Sequence, residues 1–242
     1  MQAAIVLVAR PPHRRGSAGL TGVVVPAAVL GAGVALIRTG GAHVLAWAGA
    51  VGTPLLAAAG LWRLPLAAAL WVVAWKASGL VAQGASVALV ALAAITVARL
   101  AARVAPAWSI AVGLVVIAVV DVVLVWGTHQ VQPASNALHA AALPSIPRLQ
   151  DATFGSATMG WLDLLAPALL GMVVRTRARA AAATGLAAGA WGLLLTVTPT
   201  VPATVPVLVG LALGGADRSL LRRALEPRGA RGSHRGDRRE PA

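Results

Sequence analysis

The sequence contains no cysteine and no tyrosine, and only seven of its 242 residues are acidic. The absence of cysteine excludes disulfide bonds, thiolate catalysis and cysteine-ligated metals. Charged residues make up 11% of the chain, whereas a soluble domain of this length carries roughly a quarter. The five histidines, at positions 13, 43, 129, 139 and 234, are not spaced to share one helix face. We therefore expect neither a metal ion nor a cofactor.

Most of the chain is apolar, with 58% hydrophobic residues and a mean hydropathy of +0.81. Long apolar runs separated by short arginine-bearing gaps are typical of a polytopic membrane protein, since a transmembrane helix needs about 20 apolar residues. The sequence therefore predicts an all-α fold, a membrane bundle of about eight transmembrane helices within a range of seven to nine. The predicted spans are roughly 19–37, 43–62, 64–82, 84–102, 107–127, 156–174, 180–198 and 201–216, with region 64–102 divided near Gln83-Gly84.

The basic residues predict the orientation of these spans. An N-terminus in the cytoplasm places 17 of the 20 cations on that side, which also makes the C-terminus cytoplasmic. These cations are Arg10, Arg14, Arg15, Arg63, Arg99, Arg103, Arg175, Arg177, Arg179, Arg218, Arg222, Arg223, Arg228, Arg231, Arg235, Arg238 and Arg239. The net charge of +13 thus reflects topology and contact with anionic lipid, and we expect no nucleic-acid partner.

Four regions follow from this pattern. Residues 1–18 are a cytoplasmic N-terminal segment, and residues 19–106 form the N-terminal transmembrane helices. Residues 107–216 form the transmembrane core, interrupted by an external loop at 128–155 that we expect to be irregular with one short helix. Residues 217–242 are rich in arginine, glycine and proline, which predicts a disordered basic cytoplasmic tail.

Two acidic residues, Asp121 and Asp163, lie inside apolar spans. An ionisable residue in a membrane span is expected to have a function and to face the bundle interior or water. Asp121 comes about six residues before its helix leaves the membrane, and Asp163 a similar distance after the next helix starts. Both carboxylates would then lie about 9–10 Å below the outer end. Because consecutive helices are usually neighbours, the two acids are predicted to face each other.

Two carboxylates at close range cannot both be ionised at low cost, so such a pair shares a proton. This arrangement is the basis of aspartic proteases, in which one carboxylate activates water and the other carboxylic acid protonates the scissile carbonyl oxygen. An intramembrane aspartate also serves as a structural hydrogen-bonding group or as the proton site of a transporter. Both alternatives stay open on these residues alone.

The surroundings of the first acid resemble a family motif. The run DVVLVWGT, which begins at Asp121 and ends at Gly127 and Thr128, resembles the D-x-x-x-V-F-G-T stretch of signal peptide peptidases. That family usually has tyrosine before the aspartate, where this chain has Val120.

Two later stretches extend the resemblance. The segment around Asp163 resembles the G-x-G-D helix of the same family, with Gly160 as the first glycine and Leu162 in place of the second. Pro202-Ala203-Thr204 occupies the place of the P-A-L motif in the last helix, with threonine in place of leucine.

Over roughly residues 107–216 the chain therefore resembles the presenilin/signal peptide peptidase family of intramembrane aspartyl proteases, as a divergent bacterial member. The resemblance implies a fold of that type and a bacterial plasma-membrane location. It implies transmembrane helices or remnant signal peptides as substrates within the lipid bilayer. It assigns catalysis to Asp121 and Asp163. Supporting or substrate-binding positions would be Gly127, Thr128, Gly160, Leu162, Pro202, Ala203 and Thr204. A proton-coupled transporter and an inactive helix-binding pseudoenzyme are the alternatives. Neither residues nor resemblance predicts an oligomeric state.

Overall fold

A computed structural model describes residues 1–12, 19, 21–61, 64–129, 131–155, 157–198 and 200–215. Helices account for most of these residues, in agreement with the predicted helical fold. The helices are α1 Gln2–Val8, α2 Thr21–Arg38, α3 Ala42–Leu61, α4 Leu64–Lys76, α5 Gly79–Val104, α6 Ala107–Val122, α7 Val131–Ala140, α8 Trp161–Val173, α9 Arg177–Gly192 and α10 Val205–Gly214. Strands β1 Asp151–Phe154 and β2 Ala157–Gly160 precede α8, a π-helical turn Val123–Gly127 extends α6, and a 3-10 turn Leu193–Thr196 extends α9. The predicted tail 217–242, together with Arg14, Arg15 and Arg63 of the predicted topology, lies outside the described residues.

Four described helical segments are long and apolar enough to cross a membrane. They are Ala42–Gly60, Gly79–Val104, Ala107–Gly127 and Arg177–Thr196. The spans predicted at 43–62, 107–127 and 180–198 agree with three of these to within three residues. Helices α4, α8 and α10 are apolar but shorter, with 13, 13 and 10 residues. The described residues thus contain four helices fit to span a membrane, and the count of eight spans and the orientation of the termini stay predictions.

The predicted helix break at Gln83-Gly84 is wrong. α4 ends at Lys76, and α5 continues without interruption through the predicted break. The true boundary is at Ser78, the N-cap of α5, and at Gly79, whose φ of +60° suits glycine. Serine before glycine is a stronger helix-boundary signal than one glutamine in an apolar run.

The predicted helix at 156–174 begins too early. Strands β1 and β2 pair antiparallel with Asp151 opposite Gly160, and α8 begins only at Trp161. Threonine and phenylalanine around Gly155, which has a φ of +62°, favour a hairpin over a helix. As a result, Asp163 lies in the first turn of α8 instead of two turns into a longer helix.

The hairpin is held from two sides. The side-chain oxygen of Gln83, in α5, accepts a 2.8 Å hydrogen bond from the backbone N–H of Gly155 at the hairpin turn. At the other end, Nε2 of His139 lies 3.0 Å from Oδ2 of Asp151 and ties α7 to β1. α7 is the short helix expected within the predicted loop 128–155, but the rest of that loop is not wholly irregular, since β1 forms its last part. These contacts fix the strand that leads directly into Asp163.

The centre of the bundle is α8, in which all residues from 164 to 173 are buried. Helices α1, α5, α6 and α10 pack around it. A Cβ atom added to Gly171 would lie 2.6 Å from Cβ of Ala9, and one added to Gly210 would lie 2.8 Å from Leu170. Small residues therefore permit close backbone approach, which is how helices associate in lipid.

Helix α1 lies within the 1–18 segment, for which the sequence predicts no helix. Its residues Gln2, Ile5 and Val6 are buried, and it packs against α8 and α9. A guanidinium nitrogen of Arg177, at the start of α9, donates a 3.4 Å hydrogen bond to the carbonyl of Ala9. α1 is therefore part of the core. It lies along α8, with Gln2 near Asp163 at the start of α8 and Ala9 near Gly171.

Candidate active site

Asp121 lies near the end of α6 and holds the start of α10. Its Oδ2 accepts two hydrogen bonds from Thr204, one of 3.2 Å from the backbone N–H and one of 2.6 Å from the hydroxyl group. Thr204 is the N-cap residue of α10. A carboxylate at a helix N-terminus is favoured by the helix dipole, and hydrogen bonds to a charged acceptor are short and strong. The variant third position of the Pro202-Ala203-Thr204 motif thus binds the first acid directly.

A π-helical turn follows Asp121 immediately. It spans Val123–Gly127, and the N–H of Thr128 closes it with a 2.8 Å hydrogen bond to the carbonyl of Val123. The hydroxyl of Thr128 donates to the carbonyl of Leu124 on the same helix. A Cβ atom added to Gly127 would make only an ordinary 3.7 Å contact. The structure therefore places Gly127 and Thr128 at the helix end, while the π-helical turn itself is a feature often found at functional sites.

Asp163 lies in the first turn of α8. Its Oδ2 accepts a 2.8 Å hydrogen bond from the backbone N–H of Gly160, the N-cap residue. This is one half of a capping box, in which the third helical residue reaches back to the cap. Leu162, at the place of the second family glycine, is partly buried and packs against the apolar core. The carboxyl group of Asp163 thus lies at the N-terminus of its own helix, and that of Asp121 at the N-terminus of α10.

The structure brings the two acids together. The carbonyl groups of Asp163 and Ala203 accept hydrogen bonds from the same amide of Gln2, and Thr204, next to Ala203, bonds to Asp121. Helices α6 and α8 are in contact, and both side chains are partly buried. No described basic side chain forms an ion pair with either carboxyl group. An uncompensated pair of this kind is best satisfied by one shared proton.

The segment 202–204 is held at the site by further contacts. The indole N–H of Trp191, in α9, donates a 2.9 Å hydrogen bond to the carbonyl of Pro202. The ring of Trp191 packs at 5.9 Å, centroid to centroid, against Trp126 of the π-helical turn. The side-chain amide of Gln2 donates a 2.9 Å hydrogen bond to the carbonyl of Ala203. The predicted motif residues therefore meet Asp121 in three dimensions.

Sequence reasoning missed two of these residues. Trp191 looked like one of eight tryptophans in an apolar chain, and nothing in the sequence pairs it with Pro202. Gln2 did carry a signal, since it is the polar residue of an otherwise apolar run, QAAIVLVA. A polar side chain in such a run calls for a hydrogen-bonding partner. The side chain is 4% exposed, which makes that requirement strict.

Among the described residues, strand β2 pairs only with β1, and its other edge leads into Asp163. In a hairpin with a two-residue connection, the closing pair Phe154 and Ala157 is hydrogen-bonded, so alternate residues direct their backbone groups outward. Thr158 and Gly160 are the outward residues of β2, and the N–H of Gly160 does bond outward, to Asp163. Thr158 is exposed. Its backbone is therefore placed to pair with an extended peptide.

The described residues contain no group of three histidine, aspartate or glutamate side chains that could hold a metal ion. Comparison of the chain with protein-family models, with curated proteins and with solved structures finds no match. The polar groups of the site are the two aspartates, the Thr204 cap and the outward backbone of β2.

Proposed function

We propose that this chain is an intramembrane aspartyl protease that cleaves transmembrane helices or remnant signal peptides. The observation that carries the proposal is the convergence of Asp121, Asp163 and the 202–204 segment. These residues are far apart in the sequence. Thr204 bonds directly to Asp121, and Gln2 bonds to the carbonyl groups of both Ala203 and Asp163. Two acids without a described cation partner, within an apolar bundle, have the chemical requirements of a water-activating pair.

The proposed reaction uses the single shared proton. Asp121, as the carboxylate, takes a proton from water while the water oxygen attacks the substrate carbonyl carbon. Asp163, as the carboxylic acid, gives its proton to the carbonyl oxygen. The proton on Asp121 then passes to the amine nitrogen as the C–N bond breaks, and Asp163 regains a proton from the diol. One water is consumed, and the pair returns to its starting protonation.

Hydrogen bonding supports this division of roles. Asp121 accepts two hydrogen bonds from Thr204, whereas Asp163 accepts one from Gly160. Donors directed at a carboxylate stabilise its negative charge, so the more strongly bonded Asp121 is the ionised member of the pair and Asp163 is the member that keeps the proton.

The surroundings of the pair suit an unwound helical substrate. The carbonyl groups of a helix are engaged in internal hydrogen bonds, so the substrate helix must unwind locally before water can attack one of them. The outward backbone groups of Thr158 can replace those bonds by adding the opened segment as a strand beside β2. Because β2 continues into α8, a peptide held there reaches Asp163 within a few residues.

Two other functions account for parts of the site. A proton-coupled transporter also uses paired acids beside interrupted helices, and α8 contains Pro167 while α10 begins beside Pro206. An inactive helix-binding pseudoenzyme would account for Leu162 at the place of a family glycine. Both alternatives predict that transmembrane peptides leave the protein uncleaved.

Reconstituted liposomes separate these functions. Wild type, Asp121→Asn and Asp163→Asn are assayed for cleavage of a transmembrane peptide and for proton flux. Asp151→Asn is the matched control, because Asp151 is a buried acid that bonds neither site acid, and asparagine can still accept a hydrogen bond from His139 and so keep the hairpin in place. The protease predicts cleavage by wild type and Asp151→Asn alone, without flux. Flux that requires either site acid would favour the transporter, and peptide binding without cleavage would favour the pseudoenzyme.

A further inference from the structure

The buried side chain of Gln2 joins the two halves of the candidate site. Its Nε2 donates a 2.9 Å hydrogen bond to the carbonyl of Ala203 and a longer one, of 3.4 Å, to the carbonyl of Asp163. Ala203 precedes Thr204, which holds Asp121. One amide group therefore connects the backbone of the second acid to the segment that binds the first.

Proline removes a backbone donor near each of these carbonyl groups. In a regular helix the carbonyl of Asp163 would accept from the N–H of residue 167, but residue 167 is proline. The carbonyl of Ala203 has Pro206 three residues later, and the N–H of Val207 bonds to Thr204 instead. Gln2 thus supplies donors to two backbone oxygens beside which proline has removed a donor.

The orientation of the amide follows from these acceptors. Two carbonyl oxygens require Nε2 on their side, which turns Oε1 the other way, where it is buried without a partner among the described residues. An unpaired buried oxygen is unfavourable, so the bonds made by Nε2 outweigh that loss. A purely space-filling role would favour an apolar side chain of the same length.

We infer that Gln2 is a positioning residue that sets the relative placement of Asp163 and the Thr204–Asp121 pair. The inference rests on the proposed function for its catalytic consequence. The structural connection that Gln2 makes between α8 and the 202–204 segment does not depend on whether the chain is a protease. Reaction rates fall steeply when catalytic groups are displaced by about 1 Å, so loss of this connection acts on turnover more than on substrate binding.

A four-protein cycle tests the inference: wild type, Gln2→Met, Pro167→Ala and the double variant. Methionine has nearly the length of glutamine without its amide, and alanine at 167 restores an N–H group for the carbonyl of Asp163. Gln150→Met is the matched control, because Gln150 is another glutamine with a buried amide, located before β1. The readouts are Tm in detergent and the separate kcat and KM values for a transmembrane peptide.

We expect Gln2→Met to lower Tm and to lower kcat about 10- to 100-fold, with KM changed by less than about threefold. The double variant should regain part of the lost Tm, since Asp163 has its donor again. Its kcat should stay low, since Ala203 remains unconnected. Equal kcat values in Gln2→Met and Gln150→Met would overturn the inference. So would a Tm change from Pro167→Ala that is the same with and without Gln2.

A distance measurement keeps this test independent of proteolysis. The chain has no cysteine, so nitroxide labels can be attached uniquely through Thr158→Cys, in β2 just before α8, and Val197→Cys, a few residues before the 202–204 segment, both of which are exposed positions. Gln2→Met should shift or broaden the distance distribution between the labels, and an unchanged distribution would overturn the inference. If no protein in the cycle cleaves peptide, the proposed function fails while the Tm cycle and this distance still decide the role of Gln2.

Discussion

The hydroxyl group of Thr204 lies 2.6 Å from Oδ2 of Asp121, and the backbone N–H of the same residue lies 3.2 Å from that oxygen. Thr204 stands at the third position of the Pro202-Ala203-Thr204 motif, where the resembling family has leucine. A leucine could supply the N–H alone. In this chain the hydroxyl adds a short, charge-assisted bond to the acid to which we assign the base role.

Replacement of Thr204 tests that bond. Thr204→Val keeps the side-chain shape and the N–H but removes a hydrogen bond to a charged group, which is worth about 1.5–3 kcal/mol. We therefore expect kcat/KM to fall about 10- to 100-fold, and Thr204→Ser to keep most activity. Thr184→Val is the control, because the buried hydroxyl of Thr184 has no partner among the described residues. Similar activities in Thr204→Val and Thr184→Val would contradict a role for the bond.

The pH dependence of cleavage follows from the shared proton. The reaction needs one carboxylate and one carboxylic acid, so the pair is inactive when it holds two protons and when it holds none. We expect kcat/KM to rise and then fall with increasing pH, as measured with one peptide in detergent from acidic to alkaline buffer. A plateau that extends to high pH would mean that no protonated acid takes part.

The edge of β2 gives a separate prediction about substrate binding. Thr158→Pro removes the outward N–H and should raise KM about tenfold, since one backbone hydrogen bond to the added strand is lost. Thr158→Val is the control, because it removes only the hydroxyl that contacts Thr153. Equal KM values for the two variants would show that the substrate does not pair with this edge.

Packing between α1 and α8 makes a prediction about stability. A side chain at Gly171 would lie 2.6 Å from Cβ of Ala9 and 2.8 Å from the carbonyl of Val6. We expect Gly171→Ala to lower the free energy of unfolding by about 1–3 kcal/mol through overpacking. Gly189→Ala, in α9, has no atom within 4 Å of the added Cβ and should be neutral or stabilising by about 0.5–1 kcal/mol. Thermal unfolding in detergent compares them, and equal shifts would contradict the tight α1–α8 contact.

The sequence predicted much of the helical architecture because long apolar runs have few alternatives in lipid. It also predicted the meeting of Asp121 and Asp163, since each was a carboxylate where a carboxylate is unfavourable. One helix boundary was predicted wrongly because Gln83 interrupts an apolar run in the sequence. Gln83 appeared to end a helix but instead anchors the Gly155 turn from within α5.

The contacts that complete the site could not be predicted in the same way. Thr204 lies 83 positions from Asp121, and Gln2 lies 201 positions from Ala203. Such pairs depend on the packing of helices that are distant in sequence, which periodicity and local propensity do not specify. Proline gave a partial signal, because a proline at 167 leaves the carbonyl of Asp163 in need of another donor.

The most direct test of the central claim is mass spectrometry of a transmembrane peptide incubated with purified wild type and with Asp163→Asn in detergent. The account predicts two complementary fragments from wild type, whose masses sum to the peptide plus one water, and an intact peptide from Asp163→Asn. Intact peptide from wild type across substrates and pH values would contradict the account. So would the same fragments from Asp163→Asn.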